Sequence, residues 1–376
     1  MKNFLRDSIT ATKAIGFGKM IVAIAALFVV FGFASCQTES DDDDSPTSYT
    51  VTFNTNGGTA VESQSVDYGS TASEPDAPTK DGSAFLGWYS DSALTAEFDF
   101  TTPIIANTTV YAKWIECIAS VEGSNYYTDF AEAVSAWTEN TTLVLFSDIE
   151  IDETMASKTG QGGDTSIIAI MVSVTKTLDL NGHTISLAPA AHKSQERVFS
   201  VHNANTVLTL KDSSGTNAGK LTGVNPVSDN GWSGALYINN GASVSMYGGT
   251  ITGNTATNGA GVWIDGRTKS SSNGGTFNMY GGVIANNTGT KGAGVYVGCQ
   301  LNESAGTAHF NMYGGTITNN TATDAGSNVY VDHGIMTMTG GTIINSTATN
   351  PAGISASSSG TLTIKEKLMM EPTGTY

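Results

Sequence analysis

In the C-terminal half of the chain, apolar and polar residues alternate in bursts of three to five positions, the period of a strand with one buried face. The bursts recur. Met246-Tyr247-Gly248-Gly249-Thr250-Ile251 returns as Met279-Tyr280-Gly281-Gly282-Val283-Ile284, as Met312-Tyr313-Gly314-Gly315-Thr316-Ile317, and as Met338-Thr339-Gly340-Gly341-Thr342-Ile343. The Gly-Gly pairs lie 33, 33 and 26 residues apart. Each unit opens with a further strand: Leu236-Tyr237-Ile238, Val262-Trp263-Ile264, Val295-Tyr296-Val297 and Val329-Tyr330-Val331. A unit is therefore strand, turn, strand, Gly-Gly, strand, the content of one coil of a parallel β-helix with three short strands per coil. The longer units add a polar loop between their first two strands, Gly266–Gly275 and Cys299–Thr307.

Alternation sorts the faces. Val262, Ile264, Phe277 and Met279 point inward; Trp263 and Tyr280 point outward. Stacking coils at ~4.8 Å turns each repeated position into a ladder. The core ladders are Val244/Phe277/Phe310/Met336, Met246/Met279/Met312/Met338 and Ile251/Ile284/Ile317/Ile343. Asn254/Asn287/Asn320 forms a polar ladder at a turn, where stacked amides bond each other. Two outward aromatic ladders result, Tyr237/Trp263/Tyr296/Tyr330 and Tyr247/Tyr280/Tyr313.

Ahead of this array, Phe130, Ala133, Val134 and Trp137 recur at helical spacing, with Thr128 or Asp129 as N-cap. Strands follow at 142–146 and 176–185. A short helix near 128–139 ahead of a strand stack reads as a cap over the open end of a solenoid. The β-helical domain then runs from 116 to 376.

Residues 49–115 read as a separate module. VTFNTNGG (51–58), FLGWYSD (85–91), FDF (98–100) and TTVYAKW (108–114) alternate as strands, with Asn-Gly-Gly as a turn. In order and spacing these motifs resemble the internalin-type B-repeat, also called the Listeria–Bacteroides repeat. One departure is Ser83-Ala84, where an aromatic usually follows Gly82. The resemblance implies a small β-rich, ubiquitin-like module of bacterial surfaces. In so small a domain Trp88 and Trp114 belong in the core rather than on a ligand. The 116–376 region resembles the pectate-lyase-like right-handed parallel β-helices of surface proteins that carry GGTITGN-type repeats. The fold class is all-β.

The N-terminus carries Lys2, Arg6, Lys13 and Lys19, then a nearly apolar run at 20–33, then Ala34-Ser35-Cys36. This is the layout of an export signal, too short to span a bilayer. Phe33-Ala34-Ser35-Cys36 resembles a bacterial lipobox, with Phe where Leu is commonest. It implies a signal peptide at 1–35 and lipid on Cys36; the alternative is a plain secretory signal. Residues 36–48, with Asp41–Asp44, cannot bury a core and form a disordered tether. Such acidity resembles the export signals of outer-membrane lipoproteins, and a plain spacer is the other reading.

The net charge of −17 becomes about −20 once residues 1–35 are removed. A chain this acidic repels nucleic acid and anionic lipid, so neither is an expected partner. Cys117 and Cys299 offer no metal spacing and sit in different elements, so no disulfide between them is expected. The β-helix often hosts polysaccharide lyases and hydrolases, yet fold does not license function. Asp179, Asp212, Asp265 and Asp332 look scattered over different coils, and His183, His309 and His333 lack obvious partners. No catalytic, metal or cofactor site is expected.

The reading is a lipid-anchored, non-catalytic protein of the outer membrane, facing the cell exterior and monomeric. Its expected role is adhesion to glycans or to surface or matrix proteins. The candidate binding residues are the two aromatic ladders, whose other reading is self-stacking, partly covered by the loops of the 33-residue units, that only steadies the coils. A structural coat and a polysaccharide-cleaving enzyme are the alternatives. Thr361–Ile364 reads as a last strand, and either Leu368-Met369-Met370 folds over the final coil or the chain is a shortened relative of longer proteins.

Overall fold

The computed structural model describes residues 47–152, 155, 157–158, 166–188, 195–226, 233–266, 273–299, 307–344 and 353–365. The export segment, Cys36, the acidic tether up to residue 46, most of the two polar loops and Leu368–Met370 lie outside the described residues.

Four strands build the first module: β1 (Ser48–Asn54), β2 (Gln64–Asp67), β3 (Ser83–Tyr89) and β4 (Thr108–Glu116). They form one sheet in the order β2-β1-β4-β3, with β1 and β4 parallel. Val51, Phe53, Trp88, Val110 and Ala112 are its buried centre. Trp88 meets Phe53 edge-on at 5.0 Å. Trp114 is partly buried against the same cluster, and its indole N–H donates to the Thr55 carbonyl at 2.9 Å. Both tryptophans are spent on packing, as a module of this size requires.

The solenoid begins with an antiparallel hairpin, β5 (Ala119–Val121) and β6 (Asn125–Tyr127), which the sequence reading did not anticipate. The expected helix follows as α1 (Phe130–Ala136), packed against that hairpin. The Asp129 carboxylate accepts from the Glu132 N–H at 2.9 Å, which caps the first turn. Phe130, Ala133 and Trp137 are buried in the end of the solenoid core.

Three sheets then run along the stack, parallel except at their first end, where the β5–β6 hairpin and the short strand Ser157–Lys158 pair antiparallel. A coil visits them in turn, and among the described residues they hold eight, ten and seven strands. The register is that of the repeat. Val244, Phe277, Phe310 and Met336 pair in one row, and Met246, Met279, Met312 and Met338 in another. Ile251, Ile284, Ile317 and Ile343 form a third row in the third sheet. Nearly all of these side chains are fully buried in one continuous core.

The Gly-Gly corners set how closely coils approach. A Cβ on Gly281, Gly314 or Gly340 would lie 2.2–2.4 Å from the carbonyl oxygen of Tyr247, Tyr280 or Tyr313 in the preceding coil. The second glycine of each pair holds φ between 82° and 87°, which L side chains rarely adopt.

At the turn after the third sheet the asparagine ladder forms as expected. Asn254 Nδ2 donates to Asn287 Oδ1 at 3.0 Å, and Asn287 Nδ2 to Asn320 Oδ1 at 2.9 Å. Asn287 Nδ2 also donates to the Ile251 carbonyl, and Asn287 Oδ1 accepts the Asn254 backbone N–H. All three residues are buried. Unpaired buried polar groups cost ~1–3 kcal/mol each. Asn287→Ala should therefore cost roughly 2–5 kcal/mol in urea unfolding. Asn311→Ala, which loses only a partly buried bond to Asn278, should stay within about 0.5 kcal/mol of wild type.

Candidate functional site

Sequence reasoning sent two aromatic rows outward, and the structure treats them in opposite ways. Tyr237, Trp263, Tyr296 and Tyr330 do lie in one register row on the outer side of the first sheet. They are not exposed. Trp263 retains 0 % of its surface and Tyr330, the most open of the four, 9 %. This corrects their reading as an accessible binding ladder. The cause is the chain between the third sheet and the next coil. That segment adds a small parallel pair, Thr288–Lys291 with Thr321–Ala325. Ala325 packs on the aromatic row, and Lys291 Nζ stands 5.3 Å over the Tyr330 ring. At the other end the Arg197 guanidinium lies 3.7 Å over the Tyr237 ring. The row is a second small core on the back of the sheet, made of edge-to-face and tilted pairs 5.5–5.9 Å apart.

Two of its three hydroxyls bond carboxylates. Tyr237 Oη donates to Asp265 Oδ2, and Tyr296 Oη to Asp332 Oδ2 at 2.8 Å. Asp332 Oδ1 in turn meets His333 Nδ1 at 2.8 Å. Burial, and after it the neighbouring Asp332 carboxylate, hold the Tyr296 phenol protonated well above its ordinary range. Asp265 and Asp332 had looked scattered. The register sets them in one row with Gly298 between them, and His333 has Asp332 as its partner. Asp265, however, retains only 1 % of its surface. His183 Nδ1 lies 3.6 Å from Asp148 Oδ1. Cys117 and Cys299 are both buried free thiols. Among the described residues no group of three His, Cys, Asp or Glu side chains converges on a metal position.

Tyr247, Tyr280 and Tyr313 are the exposed row. They keep 55, 42 and 45 % of their surface. Each follows a member of the methionine ladder, so the three project from the second sheet one coil apart. Their rings lie nearly parallel, 4.7 Å and 4.8 Å between centroids with planes 6° and 12° apart. That separation equals the coil spacing, so the rings stack on one another along the solenoid axis. Desolvation raises the Tyr280 hydroxyl above its usual pKa, and the two flanking phenols add to the effect. The stack consumes both faces of Tyr280 and one face each of its neighbours. What it turns outward is a line of ring edges and hydroxyls.

Two positions earlier on the same face runs a second row, Thr209, Ser245, Asn278, Asn311, Thr337 and Thr363. Asn311 Nδ2 donates to Asn278 Oδ1 at 3.0 Å. The second sheet thus presents a face of hydroxyls, amides and phenol edges at a regular axial repeat. Such a surface suits saccharide hydroxyls or a partner's polar and aromatic groups.

The amino-terminal module matches a known family. Residues 49–113 form a Listeria-Bacteroides repeat domain. This module is 49 % identical over 67 residues to a protein named as a membrane protein of Evansella cellulosilytica, covering 18 % of this chain and 10 % of that protein. It is 46 % identical over 67 residues to a Gly-rich protein of the same organism, also named as a membrane protein, covering 18 % and 8 %. Internalin H of Listeria monocytogenes is 42 % identical over 69 residues, covering 18 % and 12 %. The chain therefore spans only about a tenth of the relatives it matches. No solved structure matches the chain. Among the described residues no helix is long and apolar enough to cross a membrane.

The two aromatic rows separate by stability. Trp263→Ala opens a hole in a packed layer and should cost about 3–5 kcal/mol in chemical denaturation. Tyr280→Ala removes two exposed stacking contacts and should cost about 1–3 kcal/mol, at ~0.5–1.5 per ring pair. Equal losses would show that the outer stack is as integral as the covered one.

Proposed function

We propose that this chain is a non-catalytic cell-surface protein that engages glycans or surface and matrix proteins. The observation that carries the reading is the exposed Tyr247/Tyr280/Tyr313 stack set in a face of Thr, Ser and Asn side chains. Buried aromatics need no ligand to explain them. A line of tyrosines left open to water on an otherwise polar sheet is a different matter. Similarity of the first module to internalin H and to proteins named as membrane proteins supports a surface location. The carboxylates that hydrolysis would call on support a non-catalytic role, since Asp265 is closed to substrate and tied to a tyrosine hydroxyl. In this reading lipid on Cys36 holds the chain to the outer membrane, the acidic tether spaces it outward, and one chain acts alone. Without ligand binding, the same stack of coils would serve as a structural coat.

A glycan and matrix-protein array probed with the full-length chain in detergent tests the interaction. Saturable binding should disappear in a Tyr247→Ser/Tyr280→Ser/Tyr313→Ser variant that still melts cooperatively. A folded wild type that binds nothing favours the coat. Anchoring has its own readout: metabolic labelling with a palmitate analogue should mark the wild type and not Cys36→Ser. Equal labelling of the two would remove the lipid anchor at that residue.

A further inference from the structure

Stacked phenols that stand open to water are placed for a covalent reaction as well as for contact with a partner. Tyr247, Tyr280 and Tyr313 are 33 residues apart in sequence. In the fold their rings lie nearly parallel, with centroids 4.7 Å and 4.8 Å apart, and all three are exposed. Other close tyrosine pairs lack one of these features. Tyr296 and Tyr330 are 5.7 Å apart, but they are covered, and the Tyr296 hydroxyl is bonded to Asp332. Tyr49 and Tyr68 are 6.2 Å apart with their planes 52° from parallel.

We propose that this stack is a site of oxidative cross-linking, where Tyr280 couples to Tyr247 or Tyr313 as dityrosine and so staples one coil to the next. The oxidant is hydrogen peroxide acting through a haem peroxidase. Two phenols each give up one electron and the hydroxyl proton. The peroxide takes both electrons and both protons and leaves as two waters. The unpaired electron of each phenoxyl spreads to the carbons ortho to oxygen. A carbon–carbon bond forms between an ortho carbon of each ring, and the hydrogens at those carbons return to the oxygens as both rings regain aromaticity. The linked chain is lighter by two hydrogens, and one peroxide is consumed per link.

In free solution two such radicals must find each other by diffusion. Here the second ring is already in place, so the step is effectively unimolecular. Exposed side chains turn within picoseconds to nanoseconds, so the small rotation from stack to bond is quick. Desolvation and the flanking phenols raise the Tyr280 pKa. Its hydroxyl stays neutral at physiological pH, and charge does not split the stack at its middle. Of the three rings, Tyr280 alone has a partner on each face. Tyr247 and Tyr313 stand two coils apart, ~9.6 Å, too far to couple, so every link within the stack includes Tyr280. A link between residues 33 apart removes freedom from the unfolded chain and thereby stabilises the folded one. The inference stands apart from the binding reading, since a chain that binds nothing would couple equally.

The test treats the dilute full-length chain in detergent with a haem peroxidase and stepwise hydrogen peroxide, and reads intact mass, dityrosine fluorescence and tryptic peptides. Trypsin leaves the three tyrosines in separate peptides, 221–267, 270–291 and 292–365, and Tyr280 is the sole tyrosine of the middle one. The wild type should stay a single chain on a denaturing gel, lose two hydrogens, and yield 270–291 joined to one of the other two. Its melting temperature should rise by a few degrees on linking. Tyr280→Phe keeps the ring and the stack but offers no phenol. Its link within the chain should fall roughly ten-fold or more, and peroxide should leave its melting temperature where it was. Tyr247→Phe should still link, through Tyr313. Undiminished linking within a folded Tyr280→Phe chain overturns the proposal. So does a wild type that couples only between chains, or only at Tyr49, Tyr68 or the covered row, and so does a linked wild type that melts no higher than the unlinked one.

Discussion

Everything in the solenoid depends on one constraint: each strand must pair in parallel with the same strand of the next coil, in register. A coil of about 30 residues cannot bury its own apolar positions, because it is one layer thick. The backbone hydrogen bonds between coils fix which side chains meet, and they meet their own kind: methionine on methionine, isoleucine on isoleucine, asparagine on asparagine. The Gly-Gly corner serves the same constraint. A side chain there would strike the preceding coil's carbonyl and force the two coils apart. Stability is then a sum over neighbouring coils, and the helix-capped hairpin at 119–136 closes the end that has no earlier coil to pair with.

Much of this was legible in the residues. The repeat exposed the coil, the Gly-Gly pairs marked a corner, and alternation assigned the Val244, Met246 and Ile251 core ladders. Phe130, Ala133 and Trp137 announced the cap. The hairpin of β5 and β6 was not legible, because a three-residue strand such as Ala119-Ser120-Val121 has no periodicity to detect. The amino-terminal module was readable from motif order alone, since its strands and turns follow the pattern of the Listeria-Bacteroides repeat.

The aromatic rows show where such reading ends. Period-two alternation tells which side of a sheet a residue occupies, and it placed Trp263 and Tyr280 correctly on the outer side. It cannot tell what lies over that side. Trp263 is covered because the segment running from 253 to 261 and its counterparts fold back across the first sheet, a tertiary event with no local signature. A signal was present in Ala325 and in the apolar spacing around Gly259 and Gly292, whose added Cβ atoms would press on the Trp263 and Tyr330 Cβ atoms. The covering is read from such fits only once the fold is known. Among the described residues no such segment crosses the second sheet, and its tyrosines are exposed.

The covered row has a consequence for how the molecule breathes. The first sheet lies between two apolar layers, the common core on one side and the Tyr237/Trp263/Tyr296/Tyr330 layer on the other. Among the described residues the second and third sheets have only one. Opening a strand of the first sheet means exposing both layers at once, whereas a strand of the others swings away from one. Amide protons of residues 262–264 and 295–297 should therefore exchange with solvent only through the largest openings, and those of the Thr-rich third sheet through smaller ones. The solenoid behaves as a rod with a stiff spine along one edge and two softer flanks.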